Sequence, residues 1–252
     1  MNAAKPVLTP EQRSFLEALF TDDAAFEEDA LRVYASDASL RRGPVLAMVR
    51  PRTVEQVREL MRWAEVERIP IHPRGRGTSL SGGCVPTRAG VVVSMLGMDR
   101  ILDISSEDFV AVIEPGVNTL AFQQACEQKG LFYPPDPASG KATSVGGNVM
   151  TCAGGLRAVK YGVTRDYVLG MEAVLPGGKL LKLGGRTHKD VIGLDISRMF
   201  VGSEGTLGIV TKLYLKLLPK PESSASVLVG YPSLDAALSS MSKVFAAGIL
   251  PC

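Results

Sequence analysis

Histidine is almost missing from this chain: His72 and His188 are the only two in 252 residues, and they lie far apart. A histidine-built metal centre is therefore poorly supported, and no metal ligand is assigned. Cysteine is sparse as well. Cys84, Cys126, Cys152 and Cys252 show no Cys-x-x-Cys spacing, which argues against zinc and dithiol redox motifs and reads as reduced thiols of a cytoplasmic protein. An excess of one charge is lacking: 28 Lys and Arg against 26 Asp and Glu leave a formal net charge of +2. With no basic run and no basic–aromatic interleaving, no nucleic-acid partner is expected. Long apolar runs are absent too, so no transmembrane segment is expected, and the first residues, MNAAKPVLTPEQ, lack the apolar core of a signal peptide.

What the chain does have is glycine, 26 in all, within a composition that is 46% hydrophobic and 21% charged. Those proportions suit a globular protein with ample core. The glycines gather in a few stretches, of which Pro73–Gly83, PRGRGTSLSGG, is the centre. It follows the apolar run Ile69–Ile71. Gly75, Gly77, Gly82 and Gly83 allow close approach of backbone to a ligand, and successive N–H groups in such a loop can converge on an anion. Thr78, Ser79 and Ser81 add hydroxyls, and Arg74 and Arg76 add positive charge. The loop reads as a diphosphate cradle, with an ordinary glycine-rich turn between strands as the competing reading. Two familiar cradles fail: Gly83 stands where a Walker loop needs lysine, and Leu80 where a Rossmann fingerprint needs its third glycine.

Taken in order, Thr9-Pro10-Glu11-Gln12 predicts a capping box and helix start, with Phe15, Leu16, Leu19 and Phe20 as the apolar stripe. The charged stretch Asp22–Arg42 reads as surface structure. Val45–Val49 predicts a strand, Thr53-x-x-Gln56 a second capping box, and Val54, Val57, Leu60, Met61 and Ala64 one helical face. Ile69–Ile71 completes a strand–helix–strand crossover with the glycine loop at its carboxyl edge. The pattern then changes. Ile101–Ile104 and Phe109–Ile113 predict a hairpin, Thr119–Lys129 a helix stopped by Gly130, and Val168–Leu175 with Lys179–Leu183 a second hairpin. Ile209, Leu213, Leu215 and Leu217 alternate with polar residues as a strand with one wet face. The expected class is α+β in two subdomains, the first rich in parallel and the second in antiparallel strands, divided near residues 97–108.

Three further stretches can meet the cradle. Phe132–Gly140, FYPPDPASG, is stiffened by proline and cannot be a central strand. Thr143–Gly155, TSVGGNVMTCAGG, carries Gly146, Gly147, Gly154 and Gly155 among Thr143, Ser144, Asn148 and Thr151. That density reads as poor helix and poor core, suited to backbone contact with a flat polar ligand; a tight crossing of two elements is the alternative. In Gly202–Gly208, GSEGTLG, Gly205 and Gly208 permit close approach and Glu204 can accept hydrogen bonds from a ribose or the backbone.

These motifs, with Lys160-Tyr161-Gly162 after the third and FVGSEGTLGIVT as the fourth, stand in an order and spacing that resemble the FAD-binding domain of the vanillyl-alcohol oxidase flavoproteins, the PCMH-type flavin fold. Within that family the chain is similar to glycolate oxidase flavin subunits and D-lactate dehydrogenases, over roughly residues 43–220. The resemblance implies FAD between the two subdomains. Its diphosphate would lie on Pro73, Arg74, Gly75, Arg76, Gly77, Thr78 and Ser79, with Ser81 close by. Pro135, Asp136, Ala138, Ser139 and Ala142, with Thr151, Ala153 and Gly154, would line the flavin and ribityl side. Gly202, Glu204, Gly205, Gly208, Ile209 and Val210 would hold the adenosine end. Some relatives tether FAD through a histidine at the end of the first loop; Thr78-Ser79 stand there, so the FAD is expected to be non-covalent.

The implied activity is oxidation of a small 2-hydroxy acid, of glycolate or D-lactate type, by hydride transfer from its C2 to flavin N5. Residues 1–42 would be a helical extension and 43–220 the FAD-binding domain. Residues 221–252 would be the start of a substrate domain, whose first helix Ser233–Gly248 resembles. The arginine and metal-binding histidines of that domain have no counterparts here, so little turnover is expected from the chain alone. The alternative is a flavin-binding partner subunit, or a cut-off product, without its own catalysis. Other oxidase subunits and self-association are the macromolecular contacts this implies.

Overall fold

The computed structural model describes residues 7–252. Thr9 Oγ1 accepts the Gln12 N–H at 3.2 Å while the Gln12 side chain accepts the Thr9 N–H at 2.9 Å. This reciprocal pair, with Pro10 behind it, starts α1 (Pro10–Phe20), which buries Leu16 and Phe20. Then come β1 (Ala24–Ala25), α2 (Glu28–Leu31), β2 (Val45–Val49), α3 (Val54–Glu67), β3 (Ile71–Arg74) and β4 (Gly90–Ser94). They form a sheet ordered β1-β2-β4-β3, in which β4 runs parallel to both β2 and β3 and β1 is an antiparallel edge. The stretch 22–42, expected as surface structure, thus contributes a strand. The capping box expected at Thr53 is half formed. Thr53 accepts the Gln56 N–H, but the Gln56 side chain accepts from Arg52 and donates to the Leu19 carbonyl, tying α3 to α1.

The second unit opens with the expected hairpin, β5 (Ile101–Ser105) and β6 (Val110–Ile113). It continues through α4 (Thr119–Glu127), β7 (Leu131–Phe132), α5 (Val145–Thr151), α6 (Ala158–Tyr161), β8 (Val168–Val174), β9 (Leu180–Gly184), α7 (Ser197–Phe200), β10 (Ile209–Lys216) and β11 (Leu218–Pro219). Its sheet is antiparallel throughout, ordered β5-β6-β10-β8-β9. On β10, Leu213 and Leu215 are fully buried and the intervening Lys212, Tyr214 and Lys216 are half-buried, as the alternation predicts. A final helix, α8 (Leu234–Ala246), buries none of its residues. No helix among the described residues is long and apolar enough to cross a membrane.

Two cores result. One fills the antiparallel sheet with α4 and α5; the other packs α1 and α3 on the first sheet, and Val174 and Ile209 of the second sheet join it. Burial of each large aliphatic side chain contributes roughly 1.5–3 kcal/mol. The shared cluster therefore fixes the two sheets against one another, and the glycine loop lies where they meet.

Asp23 anchors the edge strand by hydrogen bonds from the Arg50 and Arg52 guanidinium groups. The hydrogen bond from Arg52, ahead of that from Arg50, holds its carboxyl below the ordinary carboxylate range. A depressed carboxyl contributes stability above its unfolded pKa of about 3.9, and that contribution is lost as pH falls through the folded value. Asp23→Asn is expected to lower the unfolding free energy at neutral pH by about 1 kcal/mol, the scale of a well-formed surface ion pair. The difference from wild type should shrink in acid denaturation below about pH 4; equal stability at neutral pH would show the cluster to be idle.

Candidate cofactor-binding site

The loop after β3 turns away from the sheet at Gly75 and takes a left-handed conformation at Gly77, φ +67. Its approach to α5 is close: a Cβ built on Gly75 would lie 2.6 Å from Ser144 Oγ. Ser144 is the N-cap of α5 and accepts the Gly147 N–H at 3.3 Å. Beneath it, Thr143 Oγ1 donates to Asn148 Oδ1 at 2.9 Å, and Asn148 Nδ2 donates to Thr119 Oγ1 at 2.9 Å. All three residues are buried. This network corrects the expectation that 143–155 makes poor helix. A satisfied cap and buried polar partners outweigh the helix cost of Gly146 and Gly147, about 1 kcal/mol each.

GSEGTLG closes the third side. Glu204 stands at φ +53, its N–H donating to Met150 O at 2.8 Å, and Ser81 Oγ donates to its carboxylate at 3.3 Å. The three segments enclose a cavity of ≈ 310 Å³. A second, of ≈ 280 Å³, adjoins it through Pro73, Gly205, Gly208 and Ile209 and extends under α3 to Met61 and Ala64.

Most of the expected residues come together on the first cavity. From the cradle these are Pro73, Arg74, Gly75, Arg76, Gly77, Thr78 and Ser79; from the middle stretches Ser139, Thr143, Ser144, Gly146, Gly147, Asn148, Thr151 and Ala153; from the last Glu204, Gly205, Gly208, Ile209 and Val210. Ser81, Pro135, Asp136, Ala138, Ala142, Gly154, Gly155 and Gly202 do not line it. Several of these support the wall instead: a Cβ on Gly155 would lie 1.9 Å from Asp136 O, the Asp136 carboxylate pairs with Arg157 at 3.5 Å, and Gly202 donates to Val149 O at 3.0 Å. The lining also includes Gly83 of the cradle, together with Leu80, Cys84, Met95, Pro115 and Met150, for which the sequence carries no site expectation. Met95 and Pro115 follow the carboxyl ends of β4 and β6, so the position of a strand end was the available signal.

Charge is distributed differently from the sequence reading. The Arg74 guanidinium donates to Ser36 O at 2.8 Å and to Val33 O at 3.2 Å, and the residue is almost wholly buried. Arg76 is exposed at the cavity. Burial pushes the Cys84 thiol above its ordinary range, against a smaller opposite pull from Arg74. His72 lies on β3 facing Arg88 O at 3.0 Å, and burial lowers its pKa. His188 faces Asp108 O at 2.7 Å. Neither histidine lines the cavity.

Among the described residues, the N–H groups of Arg76, Gly77, Thr78 and Ser79 donate to no other part of the chain. A row of free N–H groups on glycine-rich backbone, beside a largely apolar cleft between two sheets, suits a ligand with a diphosphate and flat aromatic ends. The fold and site are those of a dinucleotide-type cofactor domain that is neither Rossmann nor P-loop. Residues 45–184 match the family model described as FAD binding domain. The chain belongs to that family, and its cofactor is FAD.

Among curated relatives, the glycolate oxidase subunit GlcD of Bacillus subtilis is 48% identical over 81% of this chain and 44% of its own length. A D-lactate dehydrogenase of Anaerostipes hadrus is 41% identical over 81% of this chain and 43% of its own. A D-2-hydroxyglutarate dehydrogenase of Stutzerimonas stutzeri is 37% identical over 91% of this chain and 49% of its own. This chain therefore spans about half the length of the curated relatives it matches. Solved structures of alkyldihydroxyacetonephosphate synthase share the fold, one with a TM-score of 0.84 at 24% identity over 98% of this chain and 47% of its own.

Proposed function

We propose that the chain is the FAD-binding part of an oxidoreductase that oxidises a small 2-hydroxy acid, of the glycolate or D-lactate type. The observation that carries this reading is the cavity between the sheets, with its free N–H groups at residues 76–79. The activities named for the relatives supply the substrate class. When bound, the flavin accepts hydride and carries the redox step. The chain's own part is to bind and orient it: the loop 74–79 at the diphosphate, Ser139 and 143–153 along the flavin and ribityl side, and 204–210 at the adenosine. The adjoining cavity under α3 supports that last placement, since Gly205 and Gly208 line both spaces.

The unit proposed runs from residue 43 to 220, with 221–252 beginning a substrate domain. Leu16 and Phe20 of the preceding extension pack into the same core as the first sheet. Further oxidase subunits and a second copy of this chain are the proposed macromolecular partners, the latter supported by Leu234, Leu238 and Met241 exposed on α8. Cytoplasmic residence is supported by four free cysteines.

The FAD is proposed to be non-covalent, because His72 is turned to Arg88 O outside the cavity. Acid precipitation of the purified protein is expected to leave a colourless pellet and a supernatant whose chromophore has the mass of FAD. Yellow colour retained by the washed polypeptide would overturn the non-covalent assignment, and a chromophore other than FAD the functional reading itself.

A further inference from the structure

Residues 33–43 precede the family match, yet they lie along the outer side of the cradle. Ala38 donates its N–H to Gly77 O at 3.1 Å, and Gly43 folds the segment back by donating to Ala35 O at 2.8 Å. A Cβ on Gly43 would lie 1.7 Å from Pro86 O, so this strap is pressed on the chain leaving the cradle as well as on the cradle itself. The Arg74 guanidinium joins the two layers. It reaches the Ser36 and Val33 carbonyls of the strap at 2.8 and 3.2 Å, meets Cys84 Sγ at 3.4 Å, and lies 5.8 Å from the Tyr34 ring centre. Gly77 sits directly over it, since a Cβ there would be 2.1 Å from Nη2.

We propose that Arg74 is a positioning residue whose guanidinium locks the strap to the glycine loop, making residues 33–43 a working part of the cofactor site. The inference rests on the reading of the cavity as the FAD site. Its physical content is a comparison of two alternatives for the loop. Without the strap, residues 75–83 are a surface loop whose four free N–H groups, at residues 76–79, must be ordered by the ligand, at roughly 1–2 kcal/mol per residue. With it, much of that ordering is in place before FAD arrives. A buried guanidinium suits the task, because its planar fork of donors serves several carbonyls at once. Its field also adds to the positive potential behind the N–H groups without occupying the cavity.

The test uses the whole chain and two levers, one on each side of the joint. Arg74→Gln removes the fork, and Ala38→Pro removes the strap N–H that meets Gly77, with Ala38→Ser keeping that N–H as control. Two quantities are measured: the rate of tryptic nicking after the exposed Arg76 in protein stripped of flavin, and the FAD dissociation constant from quenching of flavin fluorescence. Both Arg74→Gln and Ala38→Pro are expected to speed the nick and weaken FAD by about tenfold or more, the scale of losing one hydrogen bond to a charged or buried group. Arg74→Lys should recover part of both effects and Ala38→Ser nearly all. Unchanged nicking and affinity in either variant would overturn the proposal. So would a variant in which every tryptic site opens together with the Arg76 site, which would make the joint a general fold contact. Wild-type protein that binds no FAD would sink the functional reading, while the nicking comparison would still decide whether strap and loop are coupled.

Discussion

Gly77→Val is expected to leave the protein folded and without flavin. Gly77 occupies φ +67, a region a β-branched residue enters only at a cost of roughly 1–3 kcal/mol. Its Cβ would also fall 2.1 Å from the Arg74 guanidinium. Either the loop flips, withdrawing the N–H groups of residues 76–79, or Arg74 is driven from its carbonyls; both destroy the cradle. FAD affinity should fall by about a hundredfold or more, equivalent to roughly 3 kcal/mol. Gly185→Ala is the control, since nothing stands within 4 Å of a Cβ there. Flavin content and thermal melting of the purified variants measure the effect. Wild-type flavin content in Gly77→Val would remove the cradle from the account.

The second large effect is a missing one. The 252-residue chain, loaded with FAD, is expected to show slow or no bleaching when glycolate or D-lactate is added without oxygen. Holding a substrate at near-attack distance can account for roughly 7–11 kcal/mol of a barrier. A base must also take the hydroxyl proton. The titratable side chains lining the cavity are Arg74, Arg76, Cys84 and Glu204. A guanidinium has no acceptor atom with which to take a proton, burial raises Cys84 away from the thiolate, and the Glu204 carboxylate is engaged by Ser81 against Gly83. His188 and Lys189 belong to an exposed loop, which His188 ties to the Asp108 carbonyl. Stopped-flow absorbance in the flavin band decides it. Rapid bleaching by either acid would show that a base has been overlooked in this chain.

The sequence-legible part of the site was its backbone chemistry. Glycine density located the cradle, the 143–155 stretch and GSEGTLG because closely approaching backbones exclude Cβ atoms wherever they occur. Period-2 and period-3.6 patterns located α1, α3 and both hairpins for a similar reason, each pattern having one buried face. What escaped notice depends on long-range partners. Nothing local at Arg74 says whether its guanidinium meets a phosphate or the carbonyls of Val33 and Ser36. The helix at Val145–Thr151 needs Thr119, far off in sequence, to satisfy Asn148. Ala24–Ala25 is too short to show a period and becomes a strand only beside Val49 and Met48. Likewise Met95 and Pro115 carry no motif and reach the cavity because β4 and β6 end there.

Titration of flavin-free protein with FAD and, separately, with FMN tests the central claim most directly. If the loop at residues 74–79 holds the diphosphate and residues 204–210 the adenosine, FMN forfeits the second set of contacts. One FAD is expected to bind per chain, with FMN weaker by at least about a hundredfold. Equal affinity for the two, or no saturable binding of either, would contradict it.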